Sequence, residues 1–450
     1  MPERHPAPAA GDAGWARAVC AGIRAAGCRW VVHVPDNPLA HVLRVLAGAH
    51  PDIRTIVATR EEEAFGIAAG LYLGGGRSAV MLQSSGLGNS LNTIGSLLVA
   101  YRIPVLTVMS MRGGPGEWNE AQVPVGRAVP SFLDALGIQH TRANTLDDAE
   151  SAIRIAASLA FGTRMPAACL LTRALTNPRS AVRDPLSDPL SDPRSAVRDP
   201  LSDPRSAVRD PLFAVRDSLP AVRDPRSAVR DSESAASHAR PAVRDPLSAI
   251  RSPAAMSRLE ATRLVVQRLR DEAVVATLGH PAYDLFAAGD RPTNFYTWGS
   301  MGTASSVGLG VALARPERRV LVIDGDGSLL MNLGALATIA VTRPANLTLI
   351  VWDNEVYGTT GGQRSATASG ADLAGAATAL GIAAAATVYT SAEMVSALDR
   401  SAAEPGPAIV VAKVSESGTA PKPPLDCVFL KHRFMAALGS TEPATQGGGT

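Results

Sequence analysis

Asp326 and Asn354 are the side chains of this chain whose types and spacing most clearly suggest chemistry. Each follows a short apolar run, residues 319–324 and 347–352, rich in branched side chains and free of polar alternation. Such runs read as strands buried on both faces of a parallel sheet. Between them, Gly325-Asp326-Gly327-Ser328 forms a tight turn and residues 329–341 have helical spacing. Beyond Asp353 and Asn354, Tyr357-Gly358-Thr359-Thr360-Gly361-Gly362 is a glycine-rich loop. Two parallel strands therefore end side by side, at the edge where open α/β sheets bind ligands. The Asp326 carboxylate, the Asn354 side-chain carbonyl and the backbone carbonyl of Val356 form a hard-oxygen set suited to Mg²⁺. The glycines let backbone N–H groups approach a phosphate. The direct reading is a bound Mg²⁺–diphosphate. A polar turn opening an ordinary helix is the alternative for a lone Gly-Asp-Gly, and the paired Asn354 weighs against it.

The elements that must position these residues repeat along the chain. In the first half, residues 30–34, 55–58, 79–83, 104–109 and 167–171 read as strands, with helices expected over 15–26, 129–137 and 146–160 and another whose first turn carries Glu61, Glu62 and Glu63. The alternation predicts a doubly wound parallel sheet. Three strand ends there carry polar side chains. Asp36 and Asn37 either face a substrate or cap the next helix. Glu61, Glu62 and Glu63 open a helix, where acidic residues suit the dipole, yet the small residues 66–70 imply close packing beside Glu61 and a buried carboxylate. Gln83 ends the next strand, before Ser84-Ser85-Gly86-Leu87-Gly88, a helix start suited to an anion. Arg112 sits in a loop after residues 104–109. In the second half, residues 273–277 and 295–298 precede the two strands of the opening motif, and 408–414 follows it.

Residues 175–253 differ in kind. The unit Pro-Arg-Ser-Ala-Val-Arg-Asp-Pro-Leu-Ser-Asp recurs from Pro193 and Pro204. Proline interrupts both helix and ladder every few residues, and one Val and one Leu per unit cannot build a core. A disordered linker is expected. The domain plan is thus 14–174, a linker over 175–255, a second domain over 256–435 and a disordered tail over 436–450.

Lys and Arg number 43 against 41 Asp and Glu, a net charge of +2 that gives no case for nucleic acid or an anionic membrane. The four cysteines are scattered without a Cys-x-x-Cys pair, as in a reducing compartment. No apolar run reaches the ~20 residues of a membrane span, and the first residues lack a signal peptide's apolar core. A cytoplasmic protein is expected.

Several stretches together resemble the thiamine diphosphate-dependent 2-oxo acid decarboxylases, most closely the sulfopyruvate and phosphonopyruvate decarboxylases. These are VPDN (34–37), REEEAFGIAAGLYLGG (60–75), LQSSGLGNSLN (82–92), AQVPVG (121–126), YTWGSMGTASSVGLGVAL (296–313) and the opening motif. The resemblance implies two doubly wound α/β domains of the thiamine diphosphate-binding fold, one for the pyrimidine and one for the diphosphate, fused where sulfopyruvate decarboxylases usually have separate α and β chains. It implies that Glu61 hydrogen-bonds the aminopyrimidine and, raised in pKa by burial, keeps a proton available, with Asp36 as a second catalytic residue. It implies that Met301 supports the bent cofactor and that the Gly299 carbonyl accepts from its amino group. Gly325, Gly327, Ser328 and Tyr357 would lie at the diphosphate, and Asp326, Asn354 and Val356 would bind Mg²⁺. A homodimer or homotetramer with sites between subunits follows by the same analogy, although a long tether also allows pairing within one chain.

The implied reaction is non-oxidative decarboxylation of a 2-oxo acid with a β-anionic group, 3-sulfopyruvate to sulfoacetaldehyde and CO₂. Phosphonopyruvate is the alternative, as is ligation to a second carbonyl compound. REEE, AQVPVG and Thr303, where phosphonopyruvate enzymes tend to carry His, lean towards sulfopyruvate. An arginine should hold the β-anion, with Arg112, Arg60 and Arg364 as candidates and Asn37 and Gln83 nearby. Two departures stand out: Asp353 where the motif usually has Asn, and Ala282-Tyr283-Asp284-Leu285 where relatives carry Ser-Arg-Glu-Leu.

Overall fold

Runs of branched and small apolar residues, uninterrupted by polar alternation, form two sheets that are covered on both faces. A computed structural model describes residues 14–177 and 256–440, apart from Ser417 and Thr419. The repeat segment expected as a linker lies outside the described residues, as do residues 1–13 and 441–450.

The first sheet contains β1 (Trp30–His33), β2 (Arg54–Val57), β3 (Ser78–Gln83), β4 (Leu106–Ser110), β5 (Gln139–Ala143) and β6 (Ala167–Leu171). All pair in parallel, in the order β2-β1-β3-β4-β6-β5. The second contains β7 (Ala273–Ala276), β8 (Asn294–Tyr296), β9 (Val320–Gly325), β10 (Leu347–Asp353), β13 (Ala384–Val388) and β14 (Ala408–Lys413). These are parallel too, in the order β13-β14-β10-β9-β7-β8. The expected pair of doubly wound α/β sheets is present. Register places Trp352 opposite Gly325, so β9 and β10 end together. The first sheet brings the carboxyl ends of β1, β3 and β4 together in the same way.

The halves meet through backbone. The Glu61–Leu73 helix lies along the Ala304–Ala314 helix, and glycines remove the side chains between them. A Cβ on Gly70 would land on the Val307 carbonyl oxygen and 2.9 Å from the Gly310 Cα. One on Gly310 would strike the Ile67 carbonyl, and one on Gly66 would lie 2.8 Å from the Ser306 Cβ. Around this contact Ile67, Leu71 and Tyr101 share one apolar core with Phe295, Val307 and Val311.

Several elements differ from the sequence expectation. The helix expected over 329–341 is two, Asp326–Met331 and Ala335–Thr342. It breaks at Asn332, which leaves helical backbone at φ −139° and ψ 53°, and Gly334, before the second helix, makes room for Thr59 by its missing side chain. The helix expected from 129 begins at Val123, with Pro124 in its first turn, where a missing N–H costs nothing. The glycine-rich loop is an antiparallel hairpin of β11 (Val356–Tyr357) and β12 (Gln363–Arg364). Strand β5 and the helices His280–Gly289 and Cys427–Ala437 were not expected. Order extends past residue 435 to Ser440, whose hydroxyl accepts from Arg315 at 2.7 Å.

Replacing Gly70 by Leu is expected to lower stability by more than the ~1–3 kcal/mol typical of overpacking, because the neighbour is backbone and cannot yield. A urea unfolding midpoint reads this directly. A midpoint equal to wild type would mean that the helices are not in contact.

Candidate active site

A cavity of about 110 Å³ opens at the carboxyl ends of β7, β9 and β10. Its walls include Met301, Gly325, Asp326, Gly327, Ser328, Asn354, Val356 and Tyr357. Eight of the residues singled out in the sequence thus converge, drawn from three separate stretches. Gly327 is required here, since a Cβ would enter the Tyr357 ring. Met301 is 52% exposed and lines the cavity with its apolar side chain. It lies in a turn where Ser300 is strained, at φ 59°, and Gly302 takes φ 81°, which a glycine adopts freely.

Asp326 is almost fully buried. One carboxylate oxygen, Oδ2, accepts from the Ser365 hydroxyl and from Thr367 Oγ1 at 2.9 Å. Burial pushes its pKa up; the Ser365 hydroxyl opposes this and the nearby Asp353 carboxylate adds to it. Thr367 Oγ1 also lies 2.8 Å from Asp353, so its single proton is shared between the two carboxylates, and Asp353 is held by Lys413 at 2.7 Å. The departure from Asn at 353 therefore has a local explanation, because the buried carboxylate has its own cation.

Asn354 is oriented from the other side. Its amide nitrogen donates to Glu416, which fixes the side-chain oxygen as the remaining acceptor. Glu416 in turn accepts from Arg258 at 3.0 Å, and Arg258 Nε donates to Asp284 at 2.5 Å. Arg258 and Asp284 are fully buried. Burial raises the Asp284 pKa and Arg258 works against that rise. Arg258 lines the cavity, and its Nη2 is buried with no hydrogen-bond partner among the described residues. An orphaned guanidinium donor in an oxygen-rich cavity suits an anion. His280, also in the wall, is shifted down by burial and by Arg258. Among the described residues no three His, Cys, Asp or Glu side chains converge on a metal position. A cation here would rest on Asp326 together with the amide and backbone oxygens of Asn354 and Val356, as a hard ion accepts.

A second cluster forms in the first sheet. Asp36, after β1, accepts from Ser110 at 2.7 Å and pairs with Arg112, with most of both side chains out of solvent. With its amide oxygen turned towards Arg112, Gln83 accepts from Arg112 Nε at 2.7 Å and from Gln122 at 3.1 Å. Three strand ends are thereby tied together. Asn37 is exposed in the same turn.

Glu61 and Gly299 line neither cluster. Glu61 is partly exposed, against the expectation of burial, and its carboxyl group lies over Gly86. The buried glutamate of that helix is Glu63, which accepts from the Thr59 N–H at 2.7 Å and from the Thr59 hydroxyl, and so closes the helix start. Gly299 faces Ser96, whose hydroxyl lies 2.9 Å from that of Ser300. Tyr101 donates to the Tyr296 carbonyl and accepts from the Trp298 N–H, so the amino-terminal half grips this turn. Of the other arginines, Arg60 pairs with Glu62 at 2.8 Å and Arg364 donates to the Ala368 carbonyl at 2.7 Å. Thr303 turns its hydroxyl inward to the Ser300 carbonyl, so it is a turn residue here. Arg258 was not foreseen. It falls on the buried face of its helix with Ala261, Thr262 and Val265, and an arginine at such a position is the signal that could have revealed it.

Two parallel sheets with a ligand cavity at their carboxyl edge define a class that comparison with known proteins makes specific. Residues 15–113 match the N-terminal TPP binding domain of thiamine pyrophosphate enzymes, and residues 282–412 match the C-terminal TPP binding domain. The chain is 33% identical over 401 residues to phosphonopyruvate decarboxylase of Streptomyces viridochromogenes, covering 87% of this chain and 86% of the relative. It is 32% identical over 349 residues to sulfopyruvate decarboxylase of Methanosarcina acetivorans, covering 78% of each. The solved thiamine diphosphate-dependent 4-hydroxybenzoylformate decarboxylase of Rhodococcus jostii shares the fold, with a TM-score of 0.60 at 14% identity over 90% of this chain and 100% of that one. The chain belongs to the family of thiamine diphosphate-dependent decarboxylases that includes the phosphonopyruvate and sulfopyruvate enzymes. Among the described residues, no helix is long and apolar enough to cross a membrane.

Changing Arg258 to Met should leave Asp284 buried without a partner and cost about 3–5 kcal/mol. The double change with Asp284→Leu should recover much of that. Urea unfolding of the two variants distinguishes a coupled pair from two independent residues, which would give additive losses.

Proposed function

We propose that this chain decarboxylates a 2-oxo acid with an anionic group on its β-carbon, with 3-sulfopyruvate, giving sulfoacetaldehyde and CO₂, as the first substrate to test. The observation that carries the reading is the cavity in which Asp326, Asn354 and the Val356 carbonyl gather beside an unpartnered Arg258 donor. That donor set fits a magnesium-bound diphosphate. Asp326, the Asn354 oxygen and the Val356 carbonyl would hold Mg²⁺. Gly325, Gly327, Ser328 and Arg258 would face the diphosphate, with the Tyr357 ring closing over Gly327. Met301 would support the cofactor's bend and the Gly299 carbonyl would accept from its amino group. When bound, thiamine diphosphate supplies the electron sink into which the substrate's carboxylate is lost.

The chain's own residues supply position and protons. Glu61 would hold a proton at the aminopyrimidine ring nitrogen. Asp36, fixed by Ser110 and Arg112, is the second carboxylate in reach of a substrate at the ends of β1, β3 and β4. Arg112 has its Nε and Nη2 committed to Gln83 and Asp36, which leaves Nη1 on a pre-oriented fork for a sulfonate or phosphonate. Asn37 and Gln83 complete that end. The REEE and AQVPVG stretches favour the sulfonate. The homologues bearing the two names are equally similar, so substrate choice rests on those stretches.

The test is CO₂ release from the purified chain with thiamine diphosphate and Mg²⁺, comparing sulfopyruvate, phosphonopyruvate and pyruvate. Preference for sulfopyruvate supports the reading, preference for phosphonopyruvate replaces the substrate, and equal turnover of pyruvate removes the β-anion from the account. Glu61→Gln should abolish turnover while both cofactors still bind. Retained activity in that variant would contradict the proton role.

A further inference from the structure

A second, larger cavity of about 590 Å³ lies in the amino-terminal half, beyond the carboxyl ends of β4, β5 and β6. Four arginines line it: Arg112, Arg127, Arg142 and Arg173. Met111 and Leu170 provide apolar wall. None of these lines the cavity described above.

The charges do not cancel. Arg173 is paired with the buried Glu117 at 2.9 Å, and Arg112 is paired with Asp36. Among the described residues Arg127 makes only a long bond to the Gly113 carbonyl, at 3.4 Å. Arg142 is exposed and has no carboxylate partner among the described residues. Asp148, on the helix that follows β5, is spent on the helix start, where it accepts from the N–H groups of Asn144 and Thr145 at 3.0 and 2.9 Å. Among the described residues Arg112 and Arg173 each face a carboxylate, and Arg127 and Arg142 face none. Like charges gathered without a counter-ion repel each other, so an anion would relieve the site.

The floor is rigid. Gly113 has φ 75°, and a Cβ there would lie 2.7 Å from the Val123 carbonyl oxygen; a Cβ on Gly126 would strike the Arg112 carbonyl. The loop after β4 and the helix that starts at Val123 are therefore locked together, and the site is formed before any ligand arrives. Its volume falls within the ~300–1,000 Å³ of small-molecule sites. An inorganic anion would leave most of it empty.

We infer that this cavity binds a small organic anion, with a phosphoryl or sulfonyl group held by Arg127 and Arg142 and an apolar body against Met111 and Leu170. The guanidinium fork suits a tetrahedral oxyanion. The inference goes beyond the proposed reaction: the two share Arg112, but Arg127 and Arg142 have no part in that reading.

The experiment is isothermal titration of the full chain, supplied with thiamine diphosphate and Mg²⁺, at low ionic strength. The probes are phenyl phosphate, inorganic phosphate and phenol. Phenyl phosphate should bind most tightly, inorganic phosphate more weakly, and phenol not at all. Arg127→Gln and Arg142→Gln should each weaken phenyl phosphate about tenfold. Both side chains are exposed, so the urea midpoint should not move, and an unchanged midpoint shows that the fold survived. No heat with phenyl phosphate up to roughly 10 mM would overturn the inference. So would equal binding by the double variant, which would place the anion elsewhere, or equal binding of phenol, which would remove the arginines from the account.

Discussion

Two helices touching through bare backbone are the constraint on which the rest depends. Gly66 makes room for the Ser306 side chain, and Gly70 and Gly310 let the Glu61–Leu73 helix settle backbone to backbone against the Ala304–Ala314 helix. Both helices start at the functional edge of their sheets. The first opens with Glu61, and the second follows the strained turn that carries Met301. Moving either helix outward by the width of a methyl group would therefore shift Glu61 relative to the cavity. The same contact explains why Ser96 and Tyr101, from the amino-terminal half, bond to residues 296–300 of the other half. Within one chain, the surface that positions one half's turn belongs to the other half.

Around that contact, charged side chains, buried except for Glu416 and part of Lys413, are organised in short chains that each end at the cavity. Asp284, Arg258 and Glu416 lead to the Asn354 amide. Lys413, Asp353 and Thr367 lead to the Asp326 carboxylate. Buried ions destabilise a fold unless they are paired, and here each pairing also fixes the orientation of an oxygen in the cavity. The altered segment at 282–285 belongs to this account. Asp284 anchors Arg258 from behind, and Tyr283 packs between His280 and Trp298 with Lys422 over its ring.

Much of this was legible in the sequence, for physical reasons. Strands buried on both faces leave unbroken apolar runs, so β9 and β10 and the residues at their ends could be read directly. The glycines that mark the helix contact are visible as a run of small residues from 66 to 70. What escaped notice has local causes. Strand β5, Gln139–Ala143, is a polar edge strand without an apolar run. The His280–Gly289 helix begins with Gly279 and Pro281, which read as a strand's end. Arg258 acts through partners 26 and 158 residues away, which no local pattern encodes. Glu61 and Glu63 look alike in sequence, and only the fold separates the partly exposed carboxylate from the buried one that closes the helix.

The central claim is that the 110 Å³ cavity is a magnesium–diphosphate site. The most direct measurement is calorimetric titration of the purified chain with thiamine diphosphate, with Mg²⁺ and then with a chelator, alongside Asp326→Ala. The account predicts tight binding with Mg²⁺, and loss of that binding both in chelator and in the variant, since one carboxylate anchors the cation. Equal binding with and without the metal, or undiminished binding by Asp326→Ala, would contradict it.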